Sequence, residues 1–322
     1  MYICKKFVIR IIFMIEIKNL TKKFGQNLIL DNLSFSAAKG EILGFLGPNG
    51  AGKTTTMKII TSFWQPTSGQ VLIDGLDTAA DSLATRKKIG YLPETVPLYE
   101  DMRVLEYLRF IAEIRWLEKD KIKARIDQVA SICGLNKVLF QTIDELSKGF
   151  RQRLGLAQAI MHQPDFLILD EPTTGLDPNQ IVEIRDLIKT IGREKTVIFS
   201  THILSEVSAT CDRVIIINNG RIVGQGSPRE LVAKSGGREL IYVKIKGPQA
   251  EVLKQLKEME NVIDINVKDR EAEDIYGYEV EPKPGVDMRE YLSMTVMKNN
   301  WSILEFSRQS ASLESVFREL TK

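Results

Sequence analysis

Cysteine is scarce in this chain of 322 residues. The three present, Cys4, Cys133 and Cys211, lie far apart and form no Cys-x-x-Cys pair. That excludes a disulfide framework and points to a reducing, cytosolic compartment. Long apolar runs are missing too. A bilayer crossing needs about 20 consecutive apolar residues, whereas a run such as Val214–Ile217 is only strand length. Action at a membrane would therefore require a partner that supplies the crossing. Neither sign of charge is in excess: 44 Lys+Arg against 42 Asp+Glu leave a net charge of +2. Nothing global points to nucleic acid, and none is expected as a partner. Internal repeats and low-complexity segments are absent. What remains, 43% apolar and 27% charged residues, is ordinary globular composition, which excludes collagen, coiled coil and disorder. The length suggests about two domains.

The first residues, Met1–Met14, are basic and apolar. They read either as a short signal-like or membrane-surface segment or as translated upstream sequence. Arg10 splits the run and no small-residue cleavage site follows. The expectation is that Met14 is the initiator and residues 1–13 are a false start.

From there strand and helix signals alternate. Glu16–Leu20 alternates like a strand, Lys18–Gly25 reads as a turn, and Leu28–Ala37 as a second strand. Glu41–Leu46 is a short apolar strand that runs into a glycine-rich loop, and Thr54–Phe63 reads as a helix. Apolar residues recur at helical spacing from Val104 to Ile132, and a further helix runs from about Lys148 to Met161. Phe166–Leu169, Val197–Ser200 and Val214–Asn218 read as strands, separated by helices at Gln180–Ile191 and Ile203–Ala209. Such alternation predicts a mostly parallel sheet covered on both faces. The texture changes near Ser235–Gly237. Beyond it the predicted order is βαββαβ with a trailing helix, the ferredoxin-like split βαβ arrangement, with Ser312 as N-cap of the last helix and Glu314 near its positive end. The expected domains are residues 14–235, with a helical subdomain at about 95–160, and residues 236–322.

Three clusters carry chemistry. Gly47-Pro48-Asn49-Gly50-Ala51-Gly52-Lys53-Thr54 matches G-x-x-x-x-G-K-[ST] between a strand and a helix, the context that motif requires. Glycines let successive N–H groups converge on phosphate oxygens, and the helix N-terminus adds partial positive charge. Lys53 would neutralise the β- and γ-phosphates, the Thr54 hydroxyl would take a Mg2+ position, and Thr55 would donate to phosphate. Next, the apolar strand Phe166–Leu169 ends in Asp170 and Glu171. Asp170 can hold Mg2+ through a water, and Glu171 can act as general base on the water that attacks the γ-phosphate. Third, Ser147 and the Gly149 amide open a helix and make an anion-binding end. A second phosphate reader makes sense if it serves nucleotide held by another copy.

Together these resemble the nucleotide-binding subunit of an ATP-binding-cassette (ABC) transporter over about residues 15–230. Walker A is Gly47–Thr54, the signature is Leu146–Phe150, and Walker B is Phe166–Asp170 followed by Glu171. The D-loop is Gly175-Leu176-Asp177-Pro178, and Thr201-His202 holds the switch histidine. The resemblance implies an α/β P-loop NTPase domain of the ABC type with a helical subdomain, joined to a small α+β accessory domain. It implies an ATPase using ATP and Mg2+, a homodimer with two nucleotides at its seam, and a separately encoded transmembrane permease. The subunit would sit peripherally on the cytoplasmic face of the cell membrane. By the same resemblance Phe24 would stack on adenine, His202 would contact the γ-phosphate and help fix Glu171, and Asp177 would link the protomers. The signature departs from the usual Leu-Ser-Gly-Gly-Gln, and Glu94 stands where the family has Gln, as a Mg2+ ligand. The loop Gly90-Tyr91-Leu92-Pro93-Glu94, together with Lys148, Phe150 and the stretch Ala311–Phe317, resembles the ABC-2 exporter branch, and within it the gliding-motility-associated type. Pro93, Pro97, Leu98, Tyr99 and Met102 would meet the permease. The alternative is an ABC ATPase acting on ribosomes or DNA. Against it stand a single P-loop and only 94 positions between Lys53 and Ser147, too few for a long coiled coil.

Overall fold

A computed structural model describes residues 13–234, 240–283, 286–309 and 313–321. Residues 1–12, and with them most of the proposed false start, lie outside the described residues, as does Ser312. The chain divides into two compact units, one ending at Pro228 and one running from Arg229 to Leu320.

The first unit holds two sheets. Strands β1 (Phe13–Phe24), β2 (Asn27–Ala38), β4 (Ser68–Ile73) and β5 (Leu76–Asp77) form an antiparallel sheet in the order β2-β1-β4-β5. The second sheet has the order β10-β9-β3-β8-β7-β6, from β3 (Ile42–Leu46), β6 (Ile89–Leu92), β7 (Phe166–Asp170), β8 (Thr196–Thr201), β9 (Arg213–Asn218) and β10 (Arg221–Gly226). Within it β9, β3, β8, β7 and β6 are parallel, and β10 returns antiparallel. Strands β3, β7 and β8 are buried along their whole length, which explains their unbroken apolar runs. Their side chains alternate between two cores, as a period of two requires. Phe166, Ile168 and Ile198 pack with helix α1 (Lys53–Ile60) and the antiparallel sheet. Leu167, Leu169, Val197 and Phe199 pack with helices α3 (Val104–Ile114), α4 (Lys119–Ile132), α5 (Lys148–Ile160) and α6 (Pro178–Gly192). Short helices α2 (Ser82–Lys88), α7 (Leu204–Thr210) and α8 (Pro228–Lys234) complete the order to that point.

Several local expectations are corrected. The predicted turn at Lys18–Gly25 is strand as far as Phe24, because pairing with both β2 and β4 satisfies its backbone. The helical run from Val104 to Ile132 is two helices. Trp116 takes a left-handed φ of 56° and the Leu117 amide donates to Ala112, closing α3 with neither glycine nor proline. The segment read as a loop around Gly90 begins as strand β6, where a Cβ at Gly90 would lie 2.2 Å from the Ala159 carbonyl. Gly90 is there so that α5 can approach. Helix α2 and strand β10 were not anticipated.

The second unit contains β11 (Leu240–Lys246), α9 (Gln249–Lys257), β12 (Val262–Ala272), β13 (Ile275–Pro282), α10 (Arg289–Lys298), β14 (Ser302–Gln309) and α11 (Leu313–Leu320). The strand order is β12-β13-β11-β14, antiparallel throughout. This is the expected split βαβ arrangement. Val243, Ile245, Tyr278 and Val280 on one sheet face bury Val252 and Leu256 of α9 and Leu292 and Val296 of α10. Glu314 lies in the first turn of α11. Among the described residues no helix is long and apolar enough to cross a membrane.

Candidate functional site

The parallel register decides which loops meet. Leu46 pairs with Thr201 and Asp170 with Ser200. The carboxyl ends of β3, β7 and β8 therefore lie side by side, where ligands bind in sheets of this kind. The loop after β3 opens α1, with Gly50 at φ 80° and Gly52 at φ 107°, conformations that side chains rarely adopt. Gly47 is compulsory for a different reason: a Cβ there would sit 2.5 Å from the Ile217 carbonyl.

A cavity of about 480 Å³ lies over this loop, lined by Ile29, Asn49, Gly50, Gly52, Lys53, Thr54, Thr55, Glu94, Glu171, Thr174 and His202. Lys53 is 5% exposed. Its Nζ donates to the Gly47 carbonyl at 2.9 Å and the Pro48 carbonyl at 3.2 Å, and lies 3.2 Å from Glu171 Oε1. The Ala51 amide donates to the Pro48 carbonyl. Glu171 takes a left-handed φ of 48°, a strain of about 1 kcal/mol for a non-glycine residue. Its amide donates to Ser200 Oγ and its Oε2 accepts from the Thr174 hydroxyl at 3.2 Å. His202 Nδ1 lies 2.8 Å from the same Oε2. The carboxylate is thus held on three sides, by an ammonium, a hydroxyl and an imidazole.

Asp170 Oδ1 accepts from Ser200 Oγ at 2.6 Å and Thr54 Oγ1 at 3.2 Å. Its Oδ2 is buried without a partner. Burial pushes this carboxyl above the usual carboxylate range. Hydrogen bonds from Ser200 and Thr54 oppose that shift, and the charges of Glu94 and Glu171 add to it. An orphaned carboxylate oxygen beside a threonine hydroxyl and a second acid suits a hard divalent cation. Among the described residues no three His, Cys, Asp or Glu side chains gather as a metal cage. So sparse a ligand set fits Mg2+, which keeps most of its waters.

Other predicted residues stand elsewhere. Ser147 caps α5 by accepting from the Phe150 amide, and Gly149 is buried beneath the side chain of Gln180. Both line a separate cavity of about 390 Å³ with Phe150, Arg153 and Glu183. Asp177 caps α6, accepting from the Gln180 amide at 2.9 Å. Phe24, 41% exposed, packs edge-on against Trp64 with ring centres 5.0 Å apart, and Lys22 Nζ lies 4.8 Å from its ring centre. Of the apolar residues after Pro93, Leu98 and Met102 pack into the helical core, while Tyr99 is exposed. Ser200 was missed in the sequence. Its only signal was a polar residue directly flanking a recognised one.

Residues 30–174 match the family described as ABC transporter. The chain is 39% identical over 226 residues to the probable multidrug ABC transporter ATP-binding protein YbhF of Escherichia coli. That alignment covers 70% of this chain and 39% of the relative, so the chain spans well under half that protein's length. It is 31% identical over 309 residues to the Nod factor export ATP-binding protein I of Burkholderia orbicola, covering 95% of this chain and 96% of that one. A solved dimeric structure of MJ0796, a bacterial ABC transporter cassette, superposes with a TM-score of 0.61 at 28% identity. It covers 66% of this chain and 98% of the cassette.

Proposed function

Given that the chain belongs to the ABC transporter family, we propose that it is the ATP-binding and ATP-hydrolysing subunit of a membrane-embedded exporter, working as a nucleotide-sandwich dimer. Residues 14–235 would form the nucleotide-binding domain, with a helical subdomain at about 95–160, and residues 236–322 an accessory domain. The observation that carries the reading is the single cavity that joins Lys53, Thr54, Glu171 and His202. The relatives named for multidrug transport and Nod factor export support the exporter assignment.

The Lys53 ammonium is held by two carbonyls and by Glu171. The β- and γ-phosphates would recruit that ammonium and free Glu171 from its cation. Amides of Asn49 to Thr55 at the start of α1 would converge on phosphate oxygens. Thr54, Asp170 and Glu94 would hold Mg2+, which when bound neutralises charge on the phosphates. Glu171, aimed by its left-handed backbone and by His202, would take a proton from the attacking water. Oxygen–phosphorus bond formation then accompanies cleavage of the bond to the β–γ bridging oxygen, and ADP leaves with the electron pair. Ser147 and the Gly149 amide would face nucleotide held by a second copy, with Asp177 at the same seam and Phe24 stacked on adenine. Closure would act on a separately encoded permease, so the subunit would work peripherally at the inner face of the cell membrane.

The test is ATP hydrolysis by the purified chain and its Glu171→Gln variant. The variant should bind ATP, dimerise on a sizing column with ATP, and lose at least about 100-fold in turnover, the range expected for a general base. Parent-like turnover in the variant would exclude Glu171 as the base. Co-purification of a polytopic membrane protein from detergent extract would support the exporter assignment.

A further inference from the structure

Glu206 is 4% exposed and is no part of the cavity wall. It lies in the first turn of α7. Its two oxygens serve different segments. Oε1 accepts from the Thr173 hydroxyl at 2.5 Å and Oε2 from the Thr201 hydroxyl at 2.7 Å. Both threonines are buried. Thr173 stands in the turn that leaves β7 after Glu171, and Thr201 closes β8 directly before His202. The Thr201 hydroxyl also accepts from the Ile203 amide at 3.0 Å, so its own hydrogen is directed at the carboxylate. Two hydroxyl donors on two oxygens match an ionised carboxylate, which only accepts. Charge-assisted bonds of this kind are short and about twice as strong as neutral ones.

We propose that Glu206 is a positioning residue that ties the turn bearing Glu171 to the strand end bearing His202, and so sets the contact between those two side chains. The links form a closed ring: Glu171 to His202 through their side chains, then Thr201 to Glu206 to Thr173 and back through the β7 turn. Cutting the ring at Glu206 leaves both active groups in place but unregistered. A displacement of about 1 Å at such a group costs on the order of 100-fold in rate, while nucleotide affinity, held mainly by the loop Gly47–Thr54, should change little. This inference rests on the ATPase reading above.

The variants are Glu206→Ala, Glu206→Gln and Thr173→Val, with thermal melting as a check on folding. In Glu206→Ala, kcat should fall tenfold or more while equilibrium ATP binding stays within twofold. Glu206→Gln retains an oxygen and reversible hydroxyl partners, and should restore most of kcat. Thr173→Val should show a smaller loss that is not additive with Glu206→Ala. A second readout needs no turnover. His202 is one of only two histidines, so its imidazole 15N resonances are assignable through His202→Ala. They should move toward those of a free imidazole in Glu206→Ala and return in Glu206→Gln. An unmoved His202 resonance in folded Glu206→Ala, or losses of kcat and binding that only track the unfolded fraction, would overturn the proposal. Should the parent itself not hydrolyse ATP, the functional reading falls, and the His202 resonance still decides the role of Glu206.

Discussion

Replacing Asp170 by Asn should stabilise the nucleotide-free protein while disabling it. Asp170 Oδ1 accepts hydrogen bonds from Ser200 and Thr54, and Asn keeps that oxygen. Oδ2 is buried and unpartnered, so the charge it shares is the part the fold tolerates least. Burial first, and then the charges of Glu94 and Glu171, raise the carboxyl above its ordinary range. A raised carboxyl means that the folded chain holds the proton more tightly than the unfolded chain. Its stabilising contribution is therefore present at low pH and is lost as pH rises through the raised value. Near neutral pH the ionised group is a net cost. Removing such a functional-site charge typically returns about 1 kcal/mol, or about 2–4 °C in Tm for a unit of this size. Thermal melting of the full chain should show the variant above the parent near neutral pH. The lead should shrink as the pH falls through the parent carboxyl's raised value and vanish below the ordinary carboxylate range, where the group is protonated in folded and unfolded chains alike. Adding ATP and Mg2+ should reverse the order, because ligand at 100 times Kd stabilises the parent by about 2.7 kcal/mol and the variant by less. A variant that melts below the parent without nucleotide, or a lead indifferent to pH, would refute the reasoning.

Gly47→Ala places a Cβ 2.5 Å from the Ile217 carbonyl. Backbone cannot yield cheaply, so a stability loss of about 1–3 kcal/mol and at least tenfold weaker ATP binding are expected by melting and titration. His162 is a second pH-sensitive group. Burial, with Arg115 nearby, lowers it to about 4, and its Nε2 lies 3.0 Å from the Ile89 carbonyl. A lowered histidine stabilises above its unfolded value near 6.5 and loses that contribution as pH falls through about 4. The loss is at most about 3 kcal/mol. His162→Gln should flatten the stability profile in that window, and an unchanged slope in denaturant titrations would count against this cause.

Much of the site was legible along the chain because its signals are local. The glycine positions between β3 and α1, the strand ending in Asp170 and Glu171, and the histidine directly after β8 each depend on neighbours within a few residues. Strand β6 was not legible, since Gly90 is chosen for the carbonyl of Ala159 packed above it rather than for strand propensity. The break at Trp116 lacked any glycine or proline to mark it. Ser200 and Glu206 are common polar residues whose partners lie in other segments.

Periodicity and backbone chemistry alone therefore determined the α/β class, the phosphate loop, the acidic pair and the second βαββαβ unit. Only the tertiary structure decided that Thr54 touches Asp170 across 116 positions, that Lys53 rests against Glu171, and that Asp170 is left with an unmatched oxygen. The reason is physical. Local rules act through covalent neighbours, whereas these contacts arise from the parallel order β9-β3-β8-β7, which brings together strand ends distant along the chain.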